Sequence, residues 1–173
     1  MEANSASVQF GLAIYDFQRI LSVILVITAI LSLSMVGAFA KAPKKNGNYT
    51  VGVQMWNAEK NEPSMSNAFF KKTAKLRVKD GKLTMTLYAN SKAIRQTLQG
   101  AYKIDMKVSN GKGGYTPVKV VARDSTGSPT AFQFTLPNTK KYVPVKLNPH
   151  VAAMGNSYVD ARLKIDYSTV KPA

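Results

Sequence analysis

Residues 143–166 read VPVKLNPHVAAMGNSYVDARLKID and contain two segments in which apolar and polar side chains alternate. The apolar residues expected to face the core are Val143, Val145 and Leu147 in the first segment and Val159, Ala161, Leu163 and Ile165 in the second. A period of two is typical of a β-strand that places one face against a core and the other in water. Pro144 cannot donate a hydrogen bond to a neighbouring strand, so we expect the first segment near a sheet edge or a bulge. Gly155-Asn156-Ser157 should reverse the chain, which makes this stretch an antiparallel hairpin with Met154 at its mouth.

The same alternation recurs through the chain from residue 49 onwards, with turns rich in Gly, Asn and Asp between the segments. Asp80-Gly81 is the strongest hairpin signal, because a type I′ turn needs positive φ angles and Gly adopts them readily. About eight short strands separated by turns predict an all-β fold, a sandwich or a barrel. The residues expected to face its core outside the last hairpin are Tyr49, Val51, Val53, Met55, Ala74, Leu76, Val78, Leu83, Met85, Leu87, Tyr102, Ile104, Met106, Val108, Val118, Val120, Ala122, Phe132, Phe134 and Leu136.

Two segments are expected to be helical. Residues 91–98 predict a short helix that Asn90 or Ser91 caps and that plugs one end of the fold. Residues 57–73 are too long for a hairpin and should contain a helical turn that starts at Pro63 or Ser64 and presents Met65, Phe69 and Phe70. These apolar side chains either close the open end of the sandwich or form one wall of a ligand pocket beside Lys71-Lys72.

The first 40 residues have the features of an export signal. Residues 20–40 carry no charge, follow Arg19 and end in Ala38-Phe39-Ala40, a small-x-small pattern that a signal peptidase accepts. The apolar run is also long enough to span a bilayer, so a retained signal anchor is the alternative. We therefore expect a signal peptide at 1–40, a linker at 41–47, one domain at 48–168 and a tail at 169–173, in a protein that is secreted or held at the cell surface.

The composition points away from catalysis and towards binding. The 173 residues include no Cys and a single histidine, His150, and no hydrolase motif occurs. The Gly-rich run at 111–114 precedes a strand rather than a helix, so it is a turn and not a phosphate-binding loop. For an exported protein, the net charge of +15 favours anionic cell-wall polymers, acidic partners or an anionic ligand over nucleic acid.

Three stretches carry a resemblance to a known family: NGNYTVGVQMW at 46–56, SMSNAFFKKTAKLRVKDGKLTMTL at 64–87 and MGNSYVDARLKID at 154–166. They resemble the NEAT domains, the near-iron-transporter modules of Gram-positive haem uptake. The second stretch is similar to the family's Ser-Met lip and lysine-rich strand, and the third to its closing strand. The resemblance implies an immunoglobulin-like β-sandwich of about eight strands that holds haem between a short lip helix and the last hairpin.

The haem site implied by the resemblance differs from the family's best-known pattern, Tyr-x-x-x-Tyr, in which the first Tyr binds iron. Met154 and Tyr158 stand at that spacing here, and aligning Tyr158 with the first Tyr instead places Arg162 at the second. Some members hold haem iron between two methionines, one from the lip and one from the hairpin, and Met65 and Met154 match both places. His150 and Tyr158 remain the alternative ligands in the hairpin.

The rest of the implied pocket comprises Ser64, Phe69, Phe70, Lys71 and Tyr158, with iron held only through haem. Thioether sulfur suits ferrous iron and raises the potential of haem relative to Tyr or Cys ligands. The expected function is haem binding and relay, with haemoglobin or another haem-relay protein as a possible partner. The alternative is an adhesion module that recognises haemoglobin or a matrix protein and binds haem weakly.

If a signal peptidase cleaves after Ala40, the mature protein begins with the sequence KAPKK. The intact mass of protein recovered from the culture medium tests this cleavage. A full-length species confined to the membrane fraction would instead show that residues 20–40 act as an anchor.

Overall fold

The computed structural model describes residues 41–152 and 156–173, so the export signal and Met154 lie outside the described residues. A 3₁₀ helix at Met65–Phe69, called the lip helix below, precedes one α-helix, α1, at Ser91–Leu98. None of the helices in these two ranges is long and apolar enough to cross a membrane. The strands are β1 (Gly47–Asn57), β2 (Thr73–Lys79), β3 (Lys82–Tyr88), β4 (Asp105–Ser109), β5 (Tyr115–Pro117), β6 (Lys119–Arg123), β7 (Pro129–Thr135), β8 (Tyr142–Asn148) and β9 (Val159–Pro172).

These nine strands form one antiparallel sheet in the order β5-β4-β8-β9-β1-β2-β3-β7-β6. The two edge strands, β5 and β6, are consecutive in the chain with Val118 between them, and the Val118 N–H donates to the Met106 carbonyl at 2.9 Å. The sheet therefore folds over on itself, and side chains from both halves meet in a single core. This confirms the all-β sandwich that the sequence predicts.

The predicted alternation places the expected side chains in the core. In β2 every second residue is buried, and Leu163 and Ile165 of β9 are fully buried. The turn between β2 and β3 has the predicted type I′ conformation, because φ is 50° at Asp80 and 75° at Gly81. The helix at 91–98 also forms with the predicted bounds, and Asn90 caps it.

The prediction that the strand containing Pro144 lies near an edge is wrong, because β8 pairs with β4 on one side and β9 on the other. β8 tolerates Pro144 because its pairing with β4 ends at Val145. On that side, β4 therefore presents no acceptor to the N–H that proline lacks. The other side pairs Pro144 with Arg162.

Packing and strand pairing continue on both sides of residues 48–168. Ala42, which the sequence places in a linker, is buried in the core. β9 continues to Pro172 because Lys171 and Pro172 pair with β1 after an irregularity in the register. At that irregularity the Gly52 N–H donates to the Thr169 hydroxyl at 2.6 Å, and a Cβ at Gly52 would lie 2.8 Å from the same oxygen.

Two predicted core residues are exposed. Ala122 lies on the edge strand β6, whose pairing with β7 shifts register on both sides of it. Val159 keeps the inward alternation of β9, but 43% of its surface is exposed because the core opens into a cavity at this end.

Replacing Leu163 with Ala is expected to lower the free energy of unfolding by about 2–5 kcal/mol, because a fully buried side chain leaves a cavity at the centre of the sheet. Urea denaturation measures this change.

Tyr167→Phe in the same strand is the matched control. The Tyr167 hydroxyl is buried without a hydrogen-bond partner in the described part of the chain, and burial raises the pKa of this phenol to about 12. Removing it should leave stability unchanged or increase it. Equal losses in the two variants would contradict this account of the core.

Candidate functional site

The opening at this end of the core is a cavity of about 430 Å³, called the lip pocket below. The lip helix forms one wall, the C-terminal end of α1 another, and the ends of β8 and β9 that flank the last hairpin form the third. Its lining is Ser64, Met65, Ser66, Ala68, Phe69, Phe70, Thr97, Leu98, Ile104, Leu147, Pro149, Val151, Val159 and Ala161. The lining is apolar apart from three hydroxyl groups, and the volume falls within the ~300–1,000 Å³ typical of small-molecule sites.

The N-terminal end of the lip helix is anchored to β1. Ser64 caps the helix, because its side chain accepts a hydrogen bond from the Ser66 N–H at 3.2 Å. The Ser64 N–H donates to the Met55 carbonyl at 3.0 Å, and the Met55 N–H donates to Asn67 Oδ1 at 2.9 Å. Ser64 and the lip helix therefore satisfy the backbone hydrogen-bonding groups of Met55 near the end of β1, where a neighbouring strand would otherwise do so.

Asn90 anchors the other end of the lip helix. Its backbone N–H donates to the Phe69 carbonyl at 2.8 Å, and its side-chain amide donates to the Ala68 carbonyl at 3.2 Å. The same side chain caps α1 by accepting from the Ala93 N–H at 3.4 Å. The sequence predicts the cap, but it gives no sign that one residue fixes two walls of the pocket.

Met65 is the first residue of the lip helix and is 91% exposed, although it lines the pocket. A large apolar side chain so placed contributes nothing to the core and is free to contact a ligand. The second predicted ligand, Met154, lies outside the described residues. Val151, three positions before it in the chain, lines the pocket.

The two predicted aromatic residues both line the pocket, but they differ in burial. Phe70 is buried, and its ring meets that of Phe132 edge to face, with centroids 6.0 Å apart. Phe69 is half-buried and packs against the core from the lip helix. The inner wall of the pocket is therefore continuous with the core of the sandwich.

Lys71 and Tyr158, both predicted for the pocket, are not among the lining residues. The ammonium of Lys71 lies 6.0 Å from the centre of the Tyr88 ring. The Tyr158 ring instead receives the ammonium of Lys107 at 4.2 Å from its centre.

A second depression, of about 530 Å³, adjoins the lip pocket and shares four lining residues with it: Thr97, Leu98, Pro149 and Val151. Its lining includes Lys103 and His150. His150 Nε2 lies 2.7 Å from Asp105 Oδ2, and the backbone of His150 is left-handed with φ of 53°. Sequence reasoning missed Lys103, which follows no motif.

Asn148 holds the described parts of the hairpin together. This buried residue donates from its amide to the Asn156 carbonyl at 2.6 Å and accepts from the His150 N–H at 2.8 Å. It therefore links residues on both sides of Met154. In the described ranges, no cluster of three His, Asp or Glu side chains could hold a metal ion directly.

A scan against protein families matches residues 42–169 to the NEAT model, described as the Iron Transport-associated domain. The chain belongs to the NEAT family. The match covers most of the chain and confirms the resemblance drawn from its three sequence stretches. No curated protein matches the chain.

The NEAT domain is also similar to solved structures. One is the NEAT5 domain of IsdX2, a B. anthracis hemophore in complex with heme, and another is a mutant of that same domain in complex with heme. Each aligns with a TM-score of 0.55 and 24% identity over 72% of this chain, covering 99% and 98% of the respective partner. These likenesses confirm the immunoglobulin-like fold.

The helix α1, which contributes Thr97 and Leu98 to the pocket, is tied to the turn between β6 and β7. Arg95 Nη2 forms an ion pair with Asp124 Oδ2 and donates to the Thr126 hydroxyl at 3.0 Å. The Thr126 hydroxyl donates to Asp124 Oδ1 at 2.7 Å. This hydrogen bond, with those from the Thr126 and Ser128 N–H groups and from Arg95, lowers the pKa of Asp124 to about 2.

We expect Asp124→Asn to destabilise the NEAT domain at neutral pH but not in strong acid. The pKa of Asp124 is about 2 when folded and about 3.9 when unfolded, so its charge adds stability above pH 4 that is lost as the pH falls through 2. The difference in thermal midpoint between the parent and the variant should narrow over this range. In a Thr126→Val background, which lacks the hydroxyl that donates to Asp124, this difference in thermal midpoint should narrow at a higher pH. A difference that does not depend on pH would contradict the assignment.

Proposed function

We propose that this NEAT domain binds haem in the lip pocket and passes it on in extracellular iron acquisition, without catalysing a reaction. The observation that carries the proposal is an apolar pocket between the lip helix and the last hairpin, with an exposed methionine at its edge. The solved NEAT domain of IsdX2, similar in fold, is a hemophore in complex with heme.

The residues of the lip pocket suit a flat apolar ligand with polar edges. Phe69, Phe70 and the aliphatic side chains of β8 and β9 offer surfaces for a porphyrin face. The hydroxyls of Ser64, Ser66 and Thr97 lie in the same lining and can donate to carboxylates. Among the cations, Lys103 lines the adjoining depression and is better placed than Lys71 to meet a propionate.

We assign Met65 and Met154 as the ligands of haem iron. Met65 is available because it is exposed on a short helix whose backbone is fixed at both ends. Met154 belongs to the hairpin whose flanks, Val151 and Val159, line the opposite wall. The two thioethers would supply soft neutral ligands to a bound haem, a chemistry that favours ferrous iron.

His150 is a weaker candidate for the iron ligand because its ring and its backbone are already engaged. His150 Nε2 is engaged by Asp105, and its backbone N–H is held by Asn148. Both contacts fix the imidazole in the adjoining depression rather than in the lip pocket. His150 is therefore better suited to contact a carboxylate at the edge of the ligand.

Met65→Ala and Met154→Ala should each shift the visible spectrum of the haem-loaded protein and speed the loss of ferrous haem. The rate of haem loss should rise by at least ~10–100-fold, which is the loss of metal affinity caused by removing a residue that hydrogen-bonds to a metal ligand. Neither change should lower the thermal midpoint appreciably. Stopped-flow measurement of haem transfer to a haem-free acceptor protein gives the rate of haem loss.

Met85→Ala is the matched control, because Met85 is fully buried in β3. It should cost about 2–5 kcal/mol of stability and leave the spectrum unchanged. If Met154→Ala leaves the spectrum unchanged while Tyr158→Phe or His150→Ala alters it, the methionine pair is wrong. If the parent takes up no haem at micromolar concentration, the adhesion alternative replaces this proposal.

A further inference from the structure

The outer face of β2 and β3 carries a row of cations, called the basic trough below and made of Lys75, Arg77, Lys79 and Lys82. These side chains alternate with buried core residues and point into water. Two shallow depressions of about 360 and 420 Å³ lie along them and share Arg77, Thr84 and Gln133. In the part of the chain that the structure describes, these depressions have no lining residue in common with the lip pocket.

The cations of the trough lack partners in the described part of the chain, unlike those of the opposite half of the sheet. There, Lys146 pairs with Asp160, Lys164 lies over the Trp56 ring at 3.9 Å, and Arg162 donates to two backbone carbonyls. Described ion pairs involve none of the four trough cations. The trough therefore keeps its charge available for an external anion.

The spacing of the trough fits a linear ligand. Lys75, Arg77 and Lys79 are alternate residues of one strand, so their Cα atoms follow one another about every 6.6–6.8 Å in a row. Lys79 pairs with Lys82 on the neighbouring strand, which widens the row at one end. The carboxylate that lines the trough there, Asp80, is engaged by the Asn46 amide at 3.2 Å.

The chemistry between the cations favours phosphate over bases. Thr84, Thr86 and Gln133 supply hydroxyl and amide groups that can donate to phosphate oxygens. Among the described residues, no aromatic side chain lines either depression, so the trough offers no surface there on which nucleic-acid bases could stack. The ligand that matches is a flexible chain of phosphodiesters joined by short polyols.

We propose that the basic trough binds a poly(glycerol phosphate)-type polymer of the cell envelope and so retains the protein there while the lip pocket handles haem. The envelope source rests on the extracellular location in the proposed function. The binding chemistry does not, because the two sites share no lining residue.

The test uses the purified protein, in the form that the cell produces, and a fluorescent poly(glycerol phosphate) oligomer whose anisotropy reports binding. Replacing Lys75, Arg77 and Lys79 together with Gln should weaken binding by about tenfold or more, as loss of three surface charge contacts predicts. The control triple variant Lys92→Gln, Lys112→Gln, Lys140→Gln removes the same charge elsewhere and should stay within about threefold of the parent. Arg77→Lys alone should also stay close to the parent.

Equal losses of affinity in the two triple variants would mean that net charge alone attracts the polymer. That result would overturn the assignment of the basic trough as the binding site. Tighter binding of single- or double-stranded DNA with the same number of phosphates would overturn the ligand class, and no binding of the oligomer would overturn the proposal outright. The haem spectrum of each sample is recorded in parallel. A trough variant that loses polymer but keeps the spectrum separates this proposal from the function of the lip pocket.

Discussion

The pairing of β9 with β8 on one side and β1 on the other is the constraint on which the rest of the structure depends. β9 brings Leu163 and Ile165 to the centre of the core, and its beginning carries Ala161 and Val159 into the wall of the lip pocket. β1, its other neighbour, ends at the residues that anchor the lip helix. The same three strands therefore fix two of the three walls, and the pocket is an opening of the core rather than a separate structure.

The strands could be predicted from the sequence because each is half-buried, so burial imprints a period of two on the residues. That signal also led to the error at Val159. Alternation reports which face of a strand points inward, but it cannot tell whether that face meets packed side chains or a cavity. Pro144 led to an error of a different kind, since a missing N–H excludes one pairing direction at one residue and not the pairing of a whole strand.

The contacts that assemble the site could not be predicted, because they join polar groups that are distant in sequence. Asn67 reaches β1, Asn90 reaches the lip helix, and Asn148 reaches across the hairpin. A side-chain amide carries no periodic signal that would reveal its partner. Proximity in sequence is also misleading: Lys71 follows the buried Phe70 in extended chain, so its side chain points to the opposite face, away from the pocket.

The way in which the lip helix is held bears on how a ligand could leave. No residue of this helix is buried, and Phe69 is its contact with the core. Its position depends on a hydrogen bond that the Asn67 side chain accepts, one that the Asn90 side chain donates, and a backbone hydrogen bond to the Met55 carbonyl, each contributing about 0.5–1.5 kcal/mol. Displacing the lip helix therefore breaks a few hydrogen bonds and the contact of Phe69, and it leaves the rest of the sandwich packed. On the proposed function, movement of the lip helix breaks the contact between Met65 and haem while the hairpin and the core stay intact. Transfer of haem to another protein requires such a partial release.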